Sequence, residues 1–192
     1  MTERAGDGGT GRRPLVAVFG SSTIGESGPE YREAEELGRR LAGAGADVIT
    51  GGYGGAMAAC SRGAHEAGAH VVGVTVELFE SRAPVNRWVT ERVHTGDLFE
   101  RLRHIIGRAA AFIAVSGSVG TIAEILLTWN LLMARGRPAA PLVLMGAPWR
   151  DWLEAHRRPG LVLPELFRYV RLADTPEEAA RLALEGVGPP SA

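Results

Sequence analysis

The stretch AFIAVSGSVGTIAE, residues 111–124, decides the fold of this chain. It opens on five apolar residues, Ala111–Val115, which predict a short buried strand. A loop of small residues follows, Ser116–Thr121, and Glu124 stands three residues after the threonine. Strand, small-residue loop and helix in this order are typical of parallel sheets, whose loops gather at one edge and meet ligands there.

The same order repeats outward from this stretch. Short apolar runs alternate with patterns of helical spacing at least five times. Strands are predicted at LVAVF (15–19), ADVIT (46–50), HVVGVTV (70–76), AAFIAV (110–115) and PLVLM (141–145), with WVTERVH (88–94) as a short extra strand. Helices are predicted over 29–45, 56–68, 97–108, 121–134, 148–157 and 175–186, the last with Thr175 as its N-cap. This alternation favours an α/β fold, a Rossmann-like doubly wound sandwich with a mainly parallel sheet and helices on both faces.

Length and composition predict one globular domain. The chain has 192 residues, of which 45% are hydrophobic and 22% are charged, and these proportions are ordinary for a folded protein. Residues 1–13 are rich in glycine and charge and are predicted to be a disordered N-terminal segment. Residues 14–188 are predicted to form a single Rossmann-like nucleotide-binding domain.

The composition also excludes several classes of function. A net charge of -1 provides no basic field for nucleic acid. No apolar run approaches the roughly 20 residues that a membrane span needs. The single cysteine, Cys60, cannot form an internal disulfide and favours a reducing compartment. We therefore expect a cytoplasmic protein with neither nucleic acid nor membrane as a partner.

The absence of lysine narrows the chemistry further. All 21 positively charged residues are arginine, which excludes a lysine Schiff base and a Walker-type phosphate loop. The five histidines and Cys60 show no metal-ligand spacing, so no metal site is predicted. The serines of the loops do not form a G-x-S-x-G elbow, which disfavours acyl transfer.

Small-residue loops follow three of the predicted strands, at Gly20–Ser22, Gly51–Gly55 and Ser116–Thr121. Glycine lets the backbone approach an anion closely, and a helix start offers free N–H groups and a partial positive charge. Three such loops at one edge favour a ligand that carries phosphate, although each loop alone would also suit a tight turn. None matches the G-x-G-x-x-G fingerprint, which disfavours hydride transfer with a dinucleotide.

The motifs together resemble the LOG family of cytokinin-activating nucleotide phosphoribohydrolases. The resemblance rests on GGYGGAM (51–57), DLFERLRHI (97–105) and SGSVGTIAE (116–124), and it covers roughly residues 15–146. The family signature is P-G-G-x-G-T-x-x-E, with an arginine twenty residues before the threonine, which is Arg101 here. This chain departs from the family at Ser116, which replaces the proline, at Ser118, which replaces the second glycine, and at Tyr53, which replaces another glycine.

The resemblance implies hydrolysis of the N-glycosidic bond of a nucleoside 5′-monophosphate, giving free base and ribose 5-phosphate. It implies AMP or an N6-substituted AMP as the substrate, no metal or organic cofactor, and a homodimer. The catalytic residues would be Arg101 and Glu124. The phosphate and the nucleotide would bind at Gly20, Ser21, Ser22, Gly51, Gly52, Gly54, Gly55, Met57, Gly117, Ser118, Val119, Gly120 and Thr121.

Glu124 has a physical rationale as well as a family precedent. Glycosidic cleavage passes through an oxocarbenium-like state, which a carboxylate near the ribose stabilises. Glu124 lies one helical turn after Thr121, and we expect the helix N-terminus to keep it ionised. Without the family spacing, Glu124 would be an ordinary helix-start acid and Arg101 a solvated arginine.

A second function stays open at this point. The same crevice would serve a non-catalytic binding or carrier protein for a nucleotide or a molybdopterin-type cofactor. The altered proline and glycine at 116 and 118 favour this alternative, whereas the retained Arg101 and Glu124 oppose it. Outside the motifs, Trp149 and Trp152 are expected to be packing residues, with stacking on an adenine as the alternative.

Overall fold

The computed structural model describes residues 13–81, 83–134, 140–158 and 162–187. Seven parallel strands form one sheet in the order β4-β3-β2-β1-β5-β6-β7. The strands are β1 (Leu15–Phe19), β2 (Asp47–Thr50), β3 (Val71–Val76), β4 (Glu91–Thr95), β5 (Ala111–Ala114), β6 (Leu142–Met145) and β7 (Val170–Ala173). The chain runs outward from β1 to β4 and then returns to place β5 beside β1. The predicted doubly wound α/β fold is confirmed.

Helices cover both faces of the sheet. They are α1 (Pro29–Gly43), α2 (Ala56–Glu66), α3 (Glu77–Glu80), α4 (Leu98–Arg108), α5 (Val119–Ala134), α6 (Ala147–His156) and α7 (Pro176–Leu184), together with a 3-10 helix at Pro164–Tyr169. Alternate residues of the central strand enter the two cores: Val16 and Val18 pack with α1, α2 and α7, while Ala17 and Phe19 pack with α4, α5 and α6. Strand β1 is therefore buried on both faces, as its unbroken apolar run predicts.

Side chains cap two of the helices, and the predicted cap at Thr175 is one of them. Asp97 caps α4 by accepting a hydrogen bond from the Glu100 N–H at 2.8 Å, and Thr175 caps α7 by accepting one from the Glu178 N–H at 3.2 Å. Helix α5 begins at Val119 rather than at the predicted Thr121. The carbonyl of Ser118 accepts a hydrogen bond from the Ile122 N–H at 3.0 Å, so Ser118 is the N-cap and the glycine at 120 already lies in the helix.

Two parts of the structure differ from the sequence prediction. Strand β7 was not predicted; it pairs along β6 with Leu142 opposite Val170. The connection after β3 contains the short helix α3, which was not predicted either. The extra strand predicted at 88–94, in contrast, is present as β4. The predicted disordered segment, residues 1–13, lies outside the described residues except for Arg13, whose guanidinium donates to the Ala42 carbonyl at 2.6 Å.

Helices α1 and α2 approach one another backbone to backbone. A Cβ on Gly38 would overlap the carbonyl of Cys60, and a Cβ on Gly63 would overlap the carbonyl of Glu35. The two helices follow the first two small-residue loops of the sequence. Their contact therefore fixes the separation of those loops at the carboxyl edge of the sheet.

Helix length and hydropathy bear on membrane insertion. Within the described residues, no helix is both long enough and apolar enough to cross a bilayer.

Candidate functional site

A pocket of about 380 Å³ lies at the carboxyl edge of the sheet, where the strand order reverses between β1 and β5. The loops after β1 and β2, helix α4 and the start of α5 form most of its wall. Nine of the residues singled out in the sequence line it: Gly20, Ser21, Ser22, Met57, Arg101, Ser118, Gly120, Thr121 and Glu124. The fold therefore brings both proposed catalytic residues and most of the proposed binding residues into one cavity.

The N-terminus of α5 forms one wall of the pocket. Its first-turn N–H groups have no partner within the helix, so they can donate to an anion. Thr121 in this turn is 2% exposed, and a Cβ on Gly117 would overlap its side chain. A Cβ on Gly120, in contrast, would meet no atom within 4 Å. Gly117 is thus required for packing under Thr121, whereas Gly120 leaves open space on the pocket side.

Arg101 and Glu124 lie next to each other in the wall of the pocket. Nη1 of Arg101 lies 3.8 Å from Oε1 of Glu124, which is longer than a hydrogen bond but within ion-pair distance. The Arg101 side chain is held in place because Nε donates to the Val74 carbonyl at 2.8 Å. Its guanidinium also lies 5.7 Å from the centre of the Tyr53 ring. Arg101 is 7% exposed, so its charge is nearly desolvated.

Burial sets the electrostatics of this pair. Burial raises the pKa of the Glu124 carboxyl to about 7, and the nearby Arg101 charge opposes the shift. Burial likewise lowers the pKa of Arg101, against the attraction of Glu124. The expectation that the helix N-terminus keeps Glu124 ionised is therefore wrong: desolvation dominates, and the carboxyl exchanges its proton near neutral pH. A group that titrates there suits proton transfer.

Three further residues line the pocket that the sequence did not assign to it: Tyr53, Phe79 and Ala83. The Tyr53 hydroxyl donates to the Val76 carbonyl at 3.0 Å and accepts from the Val76 N–H at 2.8 Å. Its ring meets Phe79 edge-on at 5.9 Å. A signal for Tyr53 existed, since it interrupts a run of glycines, but nothing in the sequence pointed to its partner at the end of β3.

The remaining predicted residues lie behind or beside the pocket. Gly51 lies behind Arg101, Gly52 packs on Gly73 and Thr75 with a φ of +79°, and Gly55 packs on the Ser21–Ser22 backbone with a φ of +61°. Gly54 lines a neighbouring groove, and Gly117 lines a cavity on the other side of its loop. Val119 is 81% exposed. These residues shape the pocket or its surroundings rather than form its wall.

The loop at 83–88 is attached to the glycine loop after β2. The Asn86 N–H donates to the Gly52 carbonyl at 2.9 Å, and its side-chain amide donates to the Tyr53 carbonyl at 3.0 Å. The loop that contributes Ala83 to the pocket is thus tied to the glycine loop that contributes Tyr53. The residues that the structure describes contain no group of three or more His, Cys, Asp or Glu side chains that could hold a metal ion.

A sequence profile of the SLOG cluster4 family matches residues 13–134. The chain belongs to the SLOG cluster4 family. It is 30% identical, over 182 residues, to the probable cytokinin riboside 5′-monophosphate phosphoribohydrolase LOGL5 of Oryza sativa subsp. japonica, an alignment that covers 91% of this chain and 73% of the rice protein. The resemblance to the LOG family is confirmed.

Solved structures are similar to this SLOG cluster4 protein along most of its length. The molybdenum cofactor carrier protein of Chlamydomonas reinhardtii is 25% identical, with a TM-score of 0.68 and coverage of 92% of this chain and 98% of that chain. The molybdenum cofactor binding protein of Rippkaea orientalis is 22% identical, with a TM-score of 0.72 and coverage of 92% and 99%. The second likeness shows the shared fold.

The departures from the LOG signature fit the SLOG cluster4 fold without strain. Ser118 is the N-cap of α5, a position that favours serine, and no described residue other than glycine has a positive φ. The carbonyl of Ser116 accepts a hydrogen bond from the Ser21 N–H at 2.9 Å, a contact that does not depend on a proline. The loop therefore keeps an open helix start despite both serines.

Proposed function

We propose that this protein is a nucleoside 5′-monophosphate phosphoribohydrolase that cleaves the N-glycosidic bond to give free base and ribose 5-phosphate. The observation that carries the proposal is the desolvated pair of Arg101 and Glu124, which faces the same pocket as the open N-terminus of α5. The helix start supplies donors for a phosphate, and the pair supplies a carboxylate and a guanidinium in the same pocket. Relatives named as phosphoribohydrolases support the assignment.

In the proposed reaction, the 5′-phosphate binds to the N–H groups at the start of α5 and to the Thr121 hydroxyl. The bond between C1′ and the base nitrogen breaks, and its electron pair leaves with the base. The Glu124 carboxylate stabilises the positive charge that develops on the ribose and accepts a proton from the attacking water. That proton is then available to the departing base, so Glu124 returns to its starting state. Arg101 orients the carboxylate or a ribose oxygen.

The proposal is tested by incubating the protein with AMP and with an N6-substituted AMP and measuring ribose 5-phosphate. Glu124→Gln keeps the size of the side chain but cannot accept the proton, and we expect its rate to fall by at least about 100-fold. Arg101→Ala should also lose activity, whereas Arg103→Ala, an exposed arginine on the same helix, should not. A wild-type protein that releases no ribose 5-phosphate from any nucleoside monophosphate would refute the proposal.

A carrier function is the second candidate, supported by the similarity to the molybdenum cofactor carrier protein of Chlamydomonas reinhardtii. The serines at 116 and 118, which replace residues of the hydrolase signature, favour it. A thermal-shift series with AMP, GMP, ribose 5-phosphate and molybdate separates the two candidates. Stabilisation by AMP without release of ribose 5-phosphate would identify a binding protein.

We also propose a homodimer. Helices α4 and α5 both contact β1, and the pair carries exposed apolar side chains: Leu98, Phe99, Val119, Leu126 and Leu127. Five of the seven large hydrophobic side chains that are exposed in the described residues lie on these two helices, and a second copy of the chain would cover them. A cytoplasmic location completes the proposal, supported by the single, reduced and buried Cys60.

A further inference from the structure

A second cavity, of about 460 Å³, lies on the other side of the loop between β5 and α5. Ser116 and Gly117 line this second cavity, while Ser118, Gly120 and Thr121 line the substrate pocket. The rest of its wall comes from the start of α1, Ile122 of α5, the end of β6, the first two turns of α6 and the residue after β7. The two halves of the doubly wound sheet thus each hold a cavity, and one loop separates them. Its size falls in the range of small-molecule sites.

The aromatic wall of the second cavity is built from two tryptophans. Trp149 is buried, and its indole N–H donates to the Val115 carbonyl at 2.9 Å, so its polar atom is already satisfied. The Trp152 ring meets Trp149 edge-on at 5.9 Å and lies 4.3 Å from the ring of His156. Trp152 is only half-buried and lines the cavity. A rigid indole held in this way is a stacking surface for a planar ring.

The polar wall of the second cavity is acidic. Glu30 and Glu33 lie three residues apart on the first turns of α1, and neither forms an ion pair with another described residue. Asp174 also lines the cavity but is paired with Arg150 at 2.6 Å. Two carboxylates therefore remain to accept hydrogen bonds. They repel a phosphate and favour a ligand with N–H donors.

Ser116 adds a group that the LOG signature lacks. The signature has a proline here, which carries no hydroxyl, whereas the half-buried Ser116 places one in the wall of the second cavity. The chain therefore combines a stacking surface, unpaired acceptors and a hydroxyl around one space. The second cavity therefore carries negative charge, whereas Arg101 and a helix N-terminus favour an anion in the pocket proposed to bind the nucleotide.

We propose that the second cavity binds a planar nitrogen heterocycle with an exocyclic amine, stacked on Trp152 with its amine donating to Glu30 or Glu33. The inference does not depend on the proposed hydrolysis, because binding is measured with a free heterocycle and no turnover. It assigns a role to Trp152 and to the acidic start of α1, neither of which the substrate pocket uses.

The test is calorimetric titration of the full chain with adenine and with unsubstituted purine, which has the same rings without the amine. We expect saturable adenine binding and about tenfold weaker purine binding. Glu33→Gln, at an exposed position, should weaken adenine binding about tenfold, and Trp152→Ala, checked for folding by circular dichroism, should abolish it. Gly120→Val places a side chain in the substrate pocket and should leave this binding unchanged.

Each alternative result has a defined meaning. If adenine does not bind at millimolar concentration, or if Glu33→Gln and Trp152→Ala both bind it as the wild type does, the proposal is wrong. If Gly120→Val abolishes adenine binding while those two variants retain it, the heterocycle occupies the substrate pocket instead. Hydrolysis of AMP by Trp152→Ala at the wild-type rate would leave the proposed function intact whichever result is obtained.

Discussion

Arg101 occupies the space that a side chain at residue 51 would need. A Cβ on Gly51 would overlap Nη2 of Arg101 and would also lie 2.6 Å from the sulfur of Met57. The absence of a side chain at the end of β2 thus determines where the guanidinium lies, and through it how Arg101 faces Glu124. A glycine that does not line the pocket therefore still controls where the charge lies within it.

Gly51→Ala should therefore displace Arg101. We expect a loss of about 1–3 kcal/mol in the free energy of unfolding from overpacking, and a loss of ribose 5-phosphate release. Urea unfolding and the product assay measure the two effects. The matched control is Gly54→Ala, where the nearest atom to an added Cβ is a carbonyl oxygen 3.5 Å away. If the two variants have the same free energy of unfolding and release ribose 5-phosphate at the same rate, Arg101 has room to move away from an added Cβ.

The raised pKa of Glu124 should make stability depend on pH. The folded state favours the protonated carboxyl, so this stabilisation is complete below the ordinary value of 4.5 and is lost as the pH rises through about 7. Relative to Glu124→Gln, the wild type should lose up to about 3 kcal/mol of stability between pH 4.5 and 8. Urea unfolding at several pH values gives this difference, and subtraction of the variant removes the contribution of the histidines. If the difference in the free energy of unfolding between the wild type and Glu124→Gln does not change with pH, the carboxyl is not buried as the structure shows.

Gly120→Ala should lower nucleotide affinity without lowering the stability of the fold. The added methyl group meets no atom within 4 Å, so stability should be unchanged or higher by up to about 1 kcal/mol. Nucleotide affinity should fall, because the methyl group enters the space beside the open helix start. Gly107→Ala, in α4 and likewise free of contacts, is the control and should bind nucleotide as the wild type does. If nucleotide affinity is unchanged in both variants, the phosphate does not bind at the start of α5.

Tyr53→Phe should destabilise the protein through Val76. Removing the hydroxyl leaves the N–H and the carbonyl of Val76 without their buried partner, at a cost of about 1–3 kcal/mol. Tyr169→Phe serves as the comparison, since the Tyr169 hydroxyl contacts only the exposed Arg168 among the described residues and that guanidinium can turn to water. Thermal unfolding of the two variants, side by side, decides whether the Tyr53 contact stabilises the end of β3.

Phe99→Glu should prevent the proposed dimer. Phe99 is 79% exposed on α4, so the change does not disturb the core, and it places a charge in the apolar surface of α4 and α5. Light scattering after size exclusion should give twice the chain mass for the wild type and the chain mass for the variant. Leu163→Glu changes an exposed leucine outside this surface and should remain dimeric. A monomeric wild type would show that this surface is not covered by a second copy.

Much of the architecture could be predicted because apolar runs mark strands that are buried on both faces. Strand β7 was not predicted from the sequence, and the reason is physical. It has four residues, VRLA, with a charged side chain inside it, and it lies at the edge of the sheet. An edge strand is fixed by its pairing with β6 rather than by its own hydrophobic pattern. The short helix α3 likewise has no buried residue to give it a pattern.

The residues of the pocket that Arg101 and Glu124 line could be predicted where loops leave strand ends. They could not be predicted where a property depends on burial by distant parts of the chain. Spacing along the chain placed Glu124 one turn into α5. Its raised pKa depends on how closely α4 and the loops cover it, and no local pattern reports that. Tyr53 shows the same limit, because its partner Val76 is 23 residues away.

The backbone contact between α1 and α2 has a consequence for how this chain tolerates change. Gly38 and Gly63 lie away from the pocket wall, yet any side chain at either position would push the two helices apart. The loops that precede these helices would then move with them. In a library of random variants selected only for activity, both positions should remain glycine as strictly as residues that line the pocket. Invariance at these two sites would report the close packing of α1 on α2 rather than a place in the pocket wall.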